Sequence, residues 1–214
     1  NVTYNGTTAQ TPSFEMPANG SVLSNLMIDN PAGLTLGAST TVNGTLALTA
    51  GVLTTGLNIV TVAASGSTSR TAGWVNGNLR KFIPASAASA TFEIGDLAAN
   101  YTPVTTAFTG AIIGATGSII AKTAASDTTT TGSGIVSTKS VNRTWTLTND
   151  NVVPGLTSYD ATFTYASTDN DAGTTASNYV VRRYDNSTWN TTTISGTPTT
   201  TATTASGITG FGNF

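Results

Sequence analysis

Between Leu26 and Val62 the apolar residues come in short groups: Leu26 with Ile28, Leu34 with Leu36, Val42, Leu46 with Leu48, Val52 with Leu53, Leu57 with Ile59, and Val62. Each group is two or three residues long and is soon followed by Gly, Asn or Asp. The strands of an ordinary hairpin run to about 5–6 residues, and these groups are shorter. They suit the rungs of a β-solenoid, in which every coil stacks its inward apolar pair on the coil below. Leu26 and Leu46 both open an L-x-(I/L) pair 20 residues apart, which gives an expected coil length. Gly33, Gly37, Gly44, Gly51 and Gly56 fall at the expected corners, where positive φ is needed. A meander of short hairpins is the competing reading. Within this region the stretch TVNGTLALTAGVLTTGLNIVTV (41–62) carries no charge, no aromatic and no acid or base, so it can pack but not react.

The small polar stretch 63–70 breaks the pattern, and Val75, Leu79 and Phe82 resume it, with Asn76-Gly77 as a corner or hairpin signal. After Pro84 the runs lengthen and alternate cleanly. Phe92 and Ile94 share one face, Val141, Trp145 and Leu147 another, and Tyr159, Ala161, Phe163 and Tyr165 a third. Two further runs join near Asp185-Asn186. Period-two alternation with one buried and one wet face, spaced by turns, predicts an antiparallel β-sandwich of seven or eight strands. Thr197 to Thr204 reads as an edge strand or a loop. The expected fold is all-β, with β-solenoid coils over 1–84 packed end to end, without a flexible linker, against an antiparallel β-sandwich over 85–214.

Composition supports this class. About one residue in five is Thr, whose branched Cβ suits a pleated surface while its hydroxyl tolerates water. Charged residues are 8%, too few for a disordered chain. The eight basic residues are scattered and the net charge is −2, so nucleic acid is not an expected partner. No apolar run reaches membrane-spanning length. With no initiator Met and no signal peptide, the chain reads as a mature or excised piece of a longer product. It has neither His nor Cys, which removes Ser-His-Asp and Cys-His catalysis and the usual His/Cys zinc sites. Absence of disulfides suits a secreted protein whose core is large enough without them.

The residues that could carry chemistry are few. A glycosidase needs two carboxylates facing each other across a cleft, and the spacing of the ten acidic residues favours no pair. Asp169 and Asp171 in TDNDAG have the D-x-D-x-G order that opens a calcium loop, but the later bidentate Glu is missing and Asn178 stands as the next candidate; a plain turn is the alternative. Trp145 lies on an alternating apolar face and is expected in the core. Trp189, in a polar strand beside Asn190, and Tyr184 form the expected exposed platform for stacking on a sugar ring. Eight N-x-(S/T) sequons occur, as expected by chance in a chain so rich in Asn and Thr.

The segments NLMIDNPAGLTLG, TVNGTLALTAGVLTTGLN, GWVNGNLRKFIP, TFEIGD, YTPV, SVNRTWTLT and GFGNF, taken in that order, resemble a module of large secreted proteins of Bacteroidota that are exported by the type IX secretion system. The resemblance covers nearly the whole chain and is carried best by G-W-V-x-G-x-L-x-K, F-x-I-G and V-N-R-x-W. It implies an extracellular or cell-surface location in adhesins, stalks or accessory regions, and it assigns no catalytic residues. Asp127-Thr128-Thr129 resembles the O-glycosylation signal of the same bacteria, which makes Thr128 a candidate acceptor. The expected function is that of a non-catalytic structural module whose partners are like modules in the same chain or neighbouring copies in a fibre; a carbohydrate-binding accessory module is the alternative.

Overall fold

A computed structural model describes residues 1–16, 21–113, 116–127 and 130–214. Nineteen strands and two 3-10 turns are found among them. The first nine strands are β1 Val2–Tyr4, β2 Ser21–Leu23, β3 Leu26–Asp29, β4 Leu34–Thr35, β5 Thr40–Val42, β6 Thr45–Ala50, β7 Val52–Val62, β8 Ser67–Arg70 and β9 Trp74–Phe82. The remaining ten are β10 Ser89–Phe92, β11 Val104–Thr109, β12 Ser118–Ala124, β13 Thr144–Asn151, β14 Ser158–Thr164, β15 Arg182–Asp185, β16 Thr188–Thr191, β17 Thr193–Ser195, β18 Ala202–Ile208 and β19 Gly212–Asn213.

The apolar groups build a three-sided solenoid. On one side β1, β3, β6 and β8 pair in parallel, with Leu26 opposite Leu46, so the 20-residue spacing is the coil itself. On the second side Leu34 lies opposite Leu53, and Leu53 opposite Val75. On the third side Thr40, Val60 and Leu79 align. Leu26, Ile28, Leu46, Leu48, Leu53, Val75 and Leu79 are wholly buried in the stack. Each such side chain contributes about 1.5–3 kcal/mol of transfer free energy. Segment 13–16 covers the first coil: Met16 is buried and the Tyr4 hydroxyl donates to Glu15 Oε1 at 2.8 Å.

The corners depart from expectation in two places. Gly33, Gly51 and Gly56 take positive φ, but Gly37 and Gly44 do not. At Gly44 the constraint is close approach instead, since a Cβ would meet the Ser24 carbonyl oxygen at 2.4 Å. The expected inward pair of Leu57 and Ile59 is not formed. Left-handed Gly56 opens a bulge, the pairing with β9 jumps from Thr54–Asn76 to Ile59–Asn78, and Leu57 is ejected into solvent at 100% exposure.

The solenoid continues into the second half through one strand. β9 runs parallel to β7 on one edge and antiparallel to β12 on the other. A ten-stranded sheet therefore extends from β2 through β5, β7, β9, β12, β13, β19 and β15 to β16, with β4 as its tenth strand, paired to β7 off this path. A second, five-stranded antiparallel sheet, β10-β11-β14-β18-β17, packs on its antiparallel part. Trp145 of β13 meets Phe163 of β14 at 5.1 Å between centroids, and Phe214 meets Phe163 at the same distance. Ile94, beyond the end of β9, still bridges in parallel to Val75 as one more rung. The second half has more strands than the expected seven or eight because short pieces such as β17 and β19 add to the sheets. β18 begins within the Thr-rich stretch and lies between β14 and β17, so it is an interior strand rather than an edge. The GFGNF end is likewise inserted between β13 and β15. Asn186 and Ser187, at φ 47° and 61°, make the two-residue turn of the β15–β16 hairpin, as the sequence suggests.

Candidate functional site

Three of the motifs converge on Arg143, which precedes β13. Its side chain is fully buried. Nε donates to Asp169 Oδ2 at 2.6 Å and Nη2 to Asp169 Oδ1 at 3.1 Å, a two-point fork. Nη2 also reaches Asp96 Oδ2 at 2.7 Å, and Nη1 reaches Thr102 Oγ1 at 3.3 Å. Each carboxylate in turn holds a loop: Asp96 accepts from the backbone N–H of Ala98 and Asn100, and Asp169 from that of Ala166. Burial pushes the Asp96 carboxyl up, but the hydrogen bonds from Arg143 and Asn100 outweigh it and hold its pKa below the ordinary value. Nearby, the Trp145 indole donates to the Thr102 carbonyl at 3.0 Å and that of Trp74 to the Asp96 carbonyl at 2.9 Å.

This cluster bears on the calcium reading of TDNDAG. Both Asp169 oxygens bond the guanidinium, so an internal cation already neutralises it. Asp171 turns to other donors, the Ser140 N–H at 2.9 Å and the Asn142 amide at 3.0 Å. Among the described residues no group of three or more acidic, His or Cys side chains is placed to hold a metal.

Most other acidic side chains also have partners within the chain. Glu93 pairs with Lys81 at 2.7 Å, Asp150 with Arg80 at 2.9 Å and Asp185 with Arg183 at 3.0 Å. Glu15 accepts from Tyr4, and Asp160 from the Gly207 N–H at 2.9 Å. Asp127 and Asp171 both lie within reach of the Ser140 hydroxyl, at 2.9 and 3.2 Å. One hydroxyl proton cannot serve both acceptors. Burial and the Asp171 charge push the Asp127 carboxyl up against the Ser140 hydrogen bond. Hydrogen bonds from Ser140 and Asn142 hold Asp171 down.

Asp127 stands beside a cavity of about 300 Å³, which opens between the two sheets at one end of the sandwich. Its floor is the core itself: Trp145, Phe163, Tyr165 and Phe214. Tyr179, Val181 and Trp189 form walls. Asp127, Lys139, Asn178 and Arg182 are among its polar lining residues, with Ser140 and Arg143 beside them. Three basic residues line it: Arg143 is held by Asp96 and Asp169, Lys139 Nζ donates to the Ala172 carbonyl at 2.6 Å, and Arg182 Nε to the Ser133 carbonyl at 3.1 Å.

Trp189 and Tyr184 are directly opposed across the β15–β16 hairpin, with centroids 4.8 Å apart. Trp189 is half-buried, and its indole N–H is fixed by the Thr131 carbonyl at 3.1 Å. The pair is thus not an open platform: Trp189 is a wall of the cavity, and Tyr184 backs it from outside the lining. Thr128 lies outside the described residues. Sequence reasoning did not find Arg143, Asp127, Asn178 or Arg182 as a group. The only available signal was the V-N-R-x-W motif, in which an Arg interrupts an otherwise apolar alternation. Comparison of the chain with protein families, with curated proteins and with solved structures finds no match.

Proposed function

We propose that the chain is a non-catalytic structural module of an extracellular adhesin, stalk or filament on a bacterial cell surface, of the kind its motifs resemble in type IX secretion cargo of Bacteroidota. The observation that carries this reading is the single ten-stranded sheet shared by solenoid and sandwich. A sheet without a break has no hinge, so the module holds its two halves at a fixed separation and passes load through a backbone ladder. The partnered acidic side chains also support a non-catalytic role, since a glycosidase keeps two carboxyls facing each other across an open cleft. Its partners are like modules in the same chain or neighbouring copies.

Single-molecule pulling on tandem copies tests the reading. One unfolding event per copy, spanning both halves, is the expected result. Two separate low-force events per copy would sink it. Immunogold labelling of intact producing cells tests the location, with surface label expected before permeabilisation. A second reading, a carbohydrate-binding accessory module, is favoured by one observation: the aromatic-walled cavity beside Trp189.

A further inference from the structure

The structural role leaves the cavity unexplained. A cavity that reaches core side chains such as Trp145 and Phe163 forgoes packing contacts that a filled core would make. At about 300 Å³ it sits at the small end of ligand sites, which span about 300–1,000 Å³ and combine apolar walls with a few placed polar groups. It has room for one ring rather than an extended chain.

From this geometry we infer that the cavity is a binding site for a single neutral sugar unit of a glycan. This rests on the carbohydrate-binding reading and moves its site from an outer platform into the cavity. A pyranose presents flat C–H faces and an equatorial girdle of hydroxyls, and the lining divides in the same way. Trp189 and Tyr179 offer ring walls to the C–H faces. Asp127 and Asn178 offer planar oxygen and nitrogen groups to hydroxyls. Tyr184 holds the Trp189 ring from behind, and the Thr131 carbonyl fixes its tilt, so the wall is set before a ligand arrives. The neutral class follows from the charges. Arg143 is held by Asp169 and Asp96, Lys139 stands by the Asp171 charge and Arg182 shares the lining with Asp127, so the cations of the site are matched by carboxylates and no surplus positive charge selects an acidic sugar.

The test is a glycan array probed with the whole chain, followed by titration of free mono- and disaccharides with intrinsic Trp fluorescence as readout. Saturable binding to neutral sugars is expected. Trp189→Ala should weaken it about tenfold or more; its thermal melt, compared with that of the parent, shows that the fold is kept. Asn178→Ala, at an exposed position, should change the order of preference among epimers. Absence of binding to any glycan overturns the proposal. So does binding that Trp189→Ala leaves unchanged, and so does an apolar dye that enters the cavity and is displaced by no sugar. The pulling and labelling results do not depend on the cavity, so failure here is distinguishable from failure of the structural role.

Discussion

Arg143 is the residue on which the second half of the molecule turns. It sits among two carboxylates and a threonine hydroxyl, with its side chain out of contact with solvent. Removing one partner of such a buried cluster costs about 3–5 kcal/mol, because the charges left behind have no compensation. Arg143→Met should therefore lower the unfolding free energy, measured by urea denaturation, by an amount in that range, while Arg143→Lys, which cannot form the fork to Asp169, should recover only part of it. The same cluster sets an acid limit. The Asp96 carboxyl has a folded pKa below its unfolded value. A depressed carboxylate contributes stability that is present above the unfolded pKa, about 3.9, and is lost as pH falls through the folded one. Urea midpoints measured downward from pH 5 should fall in the parent and fall less steeply in Asp96→Asn.

At the scale of elements, the solenoid separates positions that look alike in sequence. Leu46 and Leu57 both belong to short apolar groups, yet Leu46 is wholly buried and Leu57 wholly exposed. Leu46→Ala should cost about 3–5 kcal/mol through lost transfer and a cavity, and Leu57→Ser should stay within about 0.5 kcal/mol; chemical denaturation of the two variants separates them. Gly51 turns the corner between β6 and β7 at φ 77°, and a Cβ there would lie 1.8 Å from the Asn30 carbonyl oxygen. Gly51→Ala must shift that corner and should cost more than about 1 kcal/mol. The outer face of the five-stranded sheet teaches a related lesson. Thr91, Thr105, Thr162, Thr204 and Ser195 fall in one row across all five strands, with Thr91 to Thr105 at 3.0 Å and Thr162 to Thr204 at 2.9 Å. Threonine content alone points to strands but not to this row, because a register shift between Tyr159 and Ala161 helps to set it.

For the whole molecule, the decisive feature is that β9 belongs to both halves. Opening the sandwich exposes the β9 edge that β12 covers, and unwinding the last coil removes the strand on which the sandwich sheet is built. The buried Lys81–Glu93 pair adds to this coupling, joining β9 to the segment that enters the second half. Thermal unfolding should accordingly show one transition, coincident by far-UV and near-UV circular dichroism. Two resolved transitions would mean that the halves are independent and that the shared sheet transmits little.

The sequence by itself determined what depends on short-range pattern. Groups of two or three apolar residues with a 20-residue spacing favour a stacked coil over a meander, alternation points to half-buried strands, and the Asp185-Asn186 signal places a tight hairpin. Each follows from side-chain period and local backbone preference, which act within a few residues. Tertiary structure decided the rest. Arg143 finds Asp169 and Asp96 at 26 and 47 residues' separation. The GFGNF strand enters between β13 and β15, and Trp189 becomes a wall of a cavity because loop 130–136 and the segment before β15 close around it. Which distant strands pair, and which loops meet over the gap between two sheets, depends on chain closure over long separations, and no local period records it.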